Sequence, residues 1–271
     1  MTKTTLSNDQ LSYLQEQKRK RLKIHFFQCL ILFVFLILWE LGSSFHWING
    51  FIFSSPSRIF LCFLQLCKDG VIFYHAGITL LETLFSFAMI TLLSLLSAMF
   101  LWWFPTVEKI LDPYFVILNS LPKSALAPIL IVWLGNNIKT IIITAILIAV
   151  FGSILNLYHE FCHVDANRRM LIQTLGGTKR QELTLVVLPS CVPVFFSIMS
   201  INIGLSLVGV IIGEFLAAKA GLGYLILYSS QVFKMDWVLL SIVILCLIAI
   251  FLYALIHLLE NKATSSTLGK S

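Results

Sequence analysis

Residues 159–163 read His-Glu-Phe-Cys-His. On a helix, His159 and His163 fall four residues apart on one face. There they could share a zinc ion, with Glu160 as the general base. Such a centre needs a third protein ligand, usually a carboxylate from another helix. The one Leu-Asp-Pro in the chain, 111–113, precedes the histidines, and no comparable motif follows them. The preferred reading is therefore polar residues at a helix end beside lipid headgroups, with no metal ligands. An intramembrane zinc metalloprotease is the alternative. A second group of residues stands in or beside long apolar runs: Glu82, Lys123 and Glu214. Charge there is costly and faces a cavity or a partner. Asn202 and Ser206 lie four apart in another such run. Pro122, Lys123, Pro128, Asn202, Ser206 and Glu214 are thus the candidate residues of a polar pathway. For Glu214 the preferred reading is a fixed hydrogen bond between helices, with a structural or gating role as the alternative, and for Asn202 and Ser206 the pathway is likewise the lesser reading. Gly204, Gly209 and Gly213 suit close helix packing.

These residues must be positioned by membrane helices. The chain has 271 residues, 58% hydrophobic and 12% charged. A soluble domain carries about 25% charged residues, so the composition indicates a polytopic membrane protein. The six cysteines, Cys29, Cys62, Cys67, Cys162, Cys191 and Cys246, form no C-x-x-C pair. They read as small apolar fillers, not as a zinc or disulfide framework. A basic stretch precedes the first apolar run with no small-residue cleavage site after it, so no cleavable signal peptide is expected. Spans of about 20 apolar residues are expected at 24–42, 78–103, 110–135, 138–158, 189–217 and 237–259. The third is the odd one: Pro113, Pro122, Pro128 and Lys123 predict a broken helix inside the bundle, near a path. The alternative is two short helices with a surface turn. Between the first two spans, Ser55, Pro56 and Gly70 bound a short helix along the outer interface, with Ile59, Phe63 and Leu66 on one face.

Orientation follows from Lys and Arg. With a cytoplasmic N-terminus and six spans, thirteen of these residues fall inside and five outside (Arg58, Lys68, Lys139, Lys219 and Lys234). Both termini are then cytoplasmic, and the net charge of +6 reflects topology, not nucleic acid. The segment 159–188 becomes a cytoplasmic loop. Asp165 is expected to cap a helix running to Leu175, with Ala166, Met170 and Thr174 on one stripe and Leu171 and Leu175 beside it. Gly176-Gly177 ends that helix. Thr178-x-x-Gln181 is a capping box for a second short helix, and Pro189 marks re-entry into the membrane. An apolar stripe with basic flanks reads either as a knob for a partner or as a hairpin on the headgroups.

The stretch "TLGGTKRQELTLVVLPSCVP" resembles the coupling loop of ABC-importer permeases. That signature is E-A-A, three residues, Gly, nine residues, Ile, one residue, Leu-Pro. Gly176, Val186 and Leu188-Pro189 match its spacing, with valine for isoleucine. Met170, Leu171 and Ile172 occupy the E-A-A positions and depart from it. "LPKSALAPILIVWLG", "ILDP", "GEFLAAKAGLGYLI", "SSPSRIF" and "ITLLETLFSFAM" are similar to the nitrate/sulfonate/taurine branch, over roughly 30–260. That branch usually carries basic residues where Leu81 and Glu82 stand.

The resemblance implies an all-α membrane protein with about six transmembrane helices and the type I importer permease fold. It implies a cytoplasmic tail at 1–23, a permease domain at 24–260 with its coupling loop at 159–188, and a second tail at 261–271. The coupling residues carried over are Asp165, Met170, Leu171, Ile172, Leu175, Gly176, Gly177, Val186, Leu188 and Pro189. The implied partners are two ABC ATPase subunits, a second permease chain (a homodimer in preference to a heterodimer), an extracellular solute-binding protein and membrane lipid. The chain itself binds no cofactor on this reading; ATP and Mg sit on the ATPase, since no G-x-x-x-x-G-K-[ST] occurs here. The location is the bacterial cell membrane. The cargo is a small anion such as a sulfonate, taurine or nitrate, or a thiamine-precursor-like pyrimidine. A secondary carrier that needs no ATP is a further alternative.

Overall fold

The computed structural model describes residues 8–268. The described residues contain helices and no strand. In a membrane each backbone N–H and C=O must be paired within the chain, and a helix does this inside a single segment. Among the described residues, five helices are long and apolar enough to span, or six if one bent pair counts as a span. The structure divides into two compact units, one ending at Cys62 and one starting at Phe63.

The first unit holds α1 (Asn8–Ser44), α2 (Gly50–Phe53) and the start of α3 (Pro56–Lys68). The apolar part of α1 is Leu22–Ser44. The expected cap of α3 is present but weak: Ser55 Oγ accepts from Arg58 N at 3.4 Å. A stronger one comes from far along the chain. The Glu40 carboxylate accepts from Ser57 N at 3.0 Å and Ser57 Oγ at 2.7 Å. A negative charge at a helix N-terminus also meets the positive end of its dipole.

The second unit is built on α4 (Val71–Trp103), α7 (Ile138–His163) and α10 (Leu188–Ala217), which pack on one another. Helix α11 (Leu222–Gln231) and α12 (Met235–Leu268) lean on α10. Helices α7 and α10 come close because of two glycines. A Cβ at Gly209 would stand 2.5 Å from Ala145 Cα, and one at Gly213 would stand 2.8 Å from Ile141 Cα. Both glycines are therefore needed where they are. Gly204, expected to do the same, has nothing within 4 Å and faces open space. Its place on the helix points away from α7, which spacing alone does not reveal.

The third predicted span is two helices, α5 (Pro105–Ser120) and α6 (Lys123–Leu134), bent by 93° at Leu121-Pro122. Proline disfavours the helical conformation in the residue before it, so the break falls there. The sequence suggested a segment inside the bundle. In this chain Leu121, Pro122 and Pro128 are exposed, and α5 has no buried residue. Prolines set where the helix breaks and not how deeply its two halves are buried. Lys123 ties the bend down: its Nζ donates to Asn119 Oδ1 and to Ile148 O of α7, each at 2.9 Å.

The fifth span also differs from expectation. Thr178 opens α9 (Lys179–Gln181), but this helix does not stop at the membrane. It continues through a π-helical stretch, Glu182–Val187, directly into α10. The wide turn sits just before Pro189, which has no N–H to give and whose ring crowds a regular ladder. A π turn absorbs such a mismatch without ending the helix.

Candidate functional site

The residues from Asp165 to Gln181 form a defined knob. Asp165 caps α8 (Ala166–Thr174), its side chain accepting from Asn167 N at 2.9 Å. Gly176 then takes φ +78°, a left-handed conformation that side-chain-bearing residues rarely adopt. Gly177 has no room for a side chain: a Cβ there would lie 2.8 Å from Ile172 O. The Thr178–Gln181 capping box closes reciprocally, with Thr178 N donating to Gln181 Oε1 at 2.8 Å. The turn thus aims α8 outward. Met170 is 64% exposed, Leu171 60% and Leu175 74%. Ile172 is half-buried against the turn, and Val186 and Leu188 lie partly covered in the following helix.

A set of polar contacts that the sequence did not flag holds this knob to the bundle. Glu182 is 5% exposed and accepts from Arg169 Nε at 2.6 Å and from Gln173 Nε2 at 3.1 Å. Arg169 lies 5.8 Å from the centre of the Trp102 ring. Lys179 lies 5.3 Å from the same ring and donates to Trp103 O at 2.7 Å. Below them, Trp102, Leu157, Phe161, Leu183, Val187 and Cys191 form an apolar core. This core joins the Glu182 stretch to the ends of α4, α7 and α10. The only sequence signal for this was an acid at 182 beside a basic stretch, a signal too common to single out.

The histidines of the zinc pattern end α7. Both rings are exposed, and His163 Nδ1 lies 2.6 Å from His159 O, its own helix backbone. Among the described residues, no three His, Cys, Asp or Glu side chains gather as a metal ion would require.

The candidate pathway residues of α10 are sealed between helices. Asn202 Nδ2 donates to Ser153 Oγ of α7 at 2.7 Å, and Ser206 Oγ donates to Thr83 O of α4 at 3.0 Å. Glu214 is 1% exposed and serves as the hub of a turn. It accepts from Thr79 Oγ1 at 2.7 Å and from Gly223 N. Thr79 Oγ1 in turn accepts from Leu222 N, and His75 Nδ1 accepts from Gly221 N. Gly221, at φ +110°, and Gly223 leave the space that the Glu214 carboxyl fills. At this end of the bundle, opposite the knob, a cavity of about 750 Å³ opens between α4, the start of α7 and residues 217–220. Neither Glu214 nor the other candidate pathway residues line it; Glu82 does.

Comparison with known proteins is consistent with this architecture. The family described as binding-protein-dependent transport system inner membrane component matches residues 90–265. The chain is 28% identical to the formylaminopyrimidine transport permease ThiX of Halalkalibacterium halodurans, over 86% of this chain and 92% of that one. It is 27% identical to the riboflavin transport permease RibX of Chloroflexus aurantiacus, over 85% and 86%. It is 24% identical to the putative aliphatic sulfonates transport permease SsuC of Bacillus subtilis, over 84% and 83%. A bundle of spanning helices, an outward-aimed loop at one end and a family match across more than half the chain lead to one assignment: this multi-pass membrane protein belongs to the binding-protein-dependent inner membrane component family, the permease subunits of ABC transporters.

Proposed function

We propose that the chain is the transmembrane subunit of an ATP-driven importer, and that α8 is the face on which an ABC ATPase docks. The observation that carries this is the knob itself: Met170, Leu171 and Leu175 lie bare in water on a helix fixed by the Arg169–Glu182 pair. Exposed apolar groups clustered on a rigid support are the usual mark of a binding surface. The E-A-A departure fits this reading, because apolar packing takes the place of the missing glutamate.

Two such chains and two ATPases complete the assembly, with a homodimer of permeases preferred, and an extracellular binding protein delivers the cargo. ATP and Mg belong to the ATPase. Closure of the ATPase dimer displaces α8, and the Glu182 anchor passes that motion to α4, α7 and α10. The bundle then exchanges outward-open for inward-open forms, to the extent that the ATPase prefers one of them. The distribution of positive residues supports a cytoplasmic position, in a bacterial cell, for both termini and the 165–188 loop. The cargo is a small organic solute of the kinds named for the relatives, a sulfonate-like anion or a nitrogen heterocycle. The sealed positions Asn202, Ser206 and Glu214, and the bend at Pro122, Lys123 and Pro128, would transmit the rearrangement between helices.

The test is affinity purification from native membranes in mild detergent. An ATPase subunit is expected with the native chain and not with Met170→Glu plus Leu175→Glu, exposed changes that leave the bundle intact. An ATPase that stays bound to this variant, or none with either chain, refutes the docking surface. Solute uptake that persists with the ATPase deleted would establish the secondary carrier instead.

A further inference from the structure

The start of α11 is capped by other helices and not by its own loop. The first N–H groups of a helix have no partner within it. Here they belong to Gly221, Leu222, Gly223 and Tyr224, since Leu225 N is the first to donate back, to Gly221 O. The preceding residues, Ala217-Ala218-Lys219-Ala220, offer no side-chain acceptor. Acceptors come instead from far along the chain. Gly221 N donates to His75 Nδ1 at 3.0 Å and Leu222 N to Thr79 Oγ1 at 2.8 Å, both on α4. Gly223 N and Tyr224 N donate to the Glu214 carboxylate on α10.

Of these acceptors, His75 is the one that a proton turns into a donor. Nδ1 accepts only while the ring is neutral with its hydrogen on Nε2. Thr79 does not titrate, and a carboxyl that gains a proton still has an oxygen that accepts. An imidazolium would aim its own N–H at that of Gly221. It would also set a positive charge at the positive end of the α11 dipole. The ring is half-buried, so protons reach it, and it is held in place by Tyr224, stacked at 6.1 Å, and by Tyr74, edge-on at 5.3 Å. The charged groups around it do not reverse this. Lys219 in the turn and Lys139 of α7 line the same cavity wall region and are of like charge. The acids are Glu82 of α4 and Glu214 of α10, hydrogen-bonded to each other. The Glu214 carboxylate already accepts from Thr79, Gly223, Tyr224 and the Glu82 carboxyl, so an imidazolium gains from it only by competing with the same N–H groups of α11.

The turn that His75 fastens is also a wall. Ala217, Ala218, Lys219 and Ala220 line the 750 Å³ cavity at the end of the bundle opposite the knob. We infer that His75 is a proton-operated latch: neutral, it fastens the start of α11 and with it the 217–220 wall of the cavity; protonated, it lets both go. The latch is closed at neutral pH and opens in acid. It goes beyond the importer reading and stands whatever the cargo is.

The experiment is amide hydrogen exchange on the full chain in lipid nanodiscs at about pH 7.5 and about pH 5, either side of the ordinary histidine range. Protection is taken relative to the intrinsic exchange rate at each pH. In the native chain, protection over 221–225 is expected to fall about tenfold in acid, the equivalent of one hydrogen bond and one dipole contact. The centres of α7 and α12 are expected to hold. His75→Asn, whose side-chain oxygen stands near the place of Nδ1 and takes no proton, is expected to keep the neutral-pH protection at both values. His75→Leu, with no acceptor, is expected to show the lower protection at both. Glu82→Gln, which removes the titration of the carboxyl pair, is expected to keep the fall. Unchanged protection in the native chain, an equal fall throughout the bundle, a full fall in His75→Asn, or its loss in Glu82→Gln would each overturn the proposal. The native comparison needs no variant, so a misfolded variant cannot mask the result.

Discussion

Replacing Glu182 with alanine should loosen α8 while leaving the bundle folded. The Glu182 carboxylate is buried and receives two donors, Arg169 Nε at 2.6 Å and Gln173 Nε2 at 3.1 Å. A charge-assisted hydrogen bond contributes about 1.5–3 kcal/mol, and a neutral donor to an ionised group lies at the low end of that range. The Arg169 side chain is 33% exposed, so water recovers part of what it loses. The net cost to the docking of α8 is then about 2–3 kcal/mol. Because α8 is otherwise exposed, this cost falls on a local opening and not on global unfolding. Amide hydrogen exchange in 166–175 should accelerate by roughly 30- to 150-fold, at 1.4 kcal/mol per tenfold. Exchange in the cores of α4, α7 and α10 should stay as it was. Glu182→Gln, which keeps an acceptor but loses the charge, should fall between. Unchanged exchange over 166–175 in the alanine variant would refute the anchoring argument. Equal acceleration throughout the bundle would do so too, because it would make Glu182 a general stability residue.

Other outcomes follow from single contacts. Gly209→Ala should lower the thermal stability of the detergent-solubilised chain by about 1–3 kcal/mol, since its Cβ would meet the Ala145 backbone. Gly204→Ala, facing open space in the same helix, should be neutral or stabilising by up to about 1 kcal/mol; equal losses at both sites would be wrong for this packing. Gly221→Ala should reduce the yield of monodisperse protein, because the residue sits at φ +110° with the Glu214 carboxyl in its side-chain space. A Gly221→Ala chain that matches the native melting curve would sink the hub assignment. His159→Ala and His163→Ala should leave both metal content and ATPase co-purification unchanged, as measured by elemental analysis and pull-down; stoichiometric zinc that disappears in either variant would restore the protease alternative.

What was legible in the sequence is what short-range physics controls. Apolar runs the length of a bilayer declare spans. The Asp165 cap, the left-handed stop at Gly176 and the Thr178–Gln181 box each need only residues a few positions apart, and all three form as their spacing predicts. The signature from Gly176 to Pro189 works the same way, and it carried the family with it. The tertiary structure decided the rest, because the rest depends on partners far along the chain. Glu40 caps α3 across 17 residues, Thr79 meets Glu214 across 135, and His75 meets Gly221 across 146. It also decided which face of the uniformly apolar α10 is packed, as at Gly204, since periodicity is silent where every side is apolar. Most of all it separated two acids that look alike in sequence: Glu214, whose carboxyl holds a turn together, and Glu82, which lines a cavity that Glu214 does not reach.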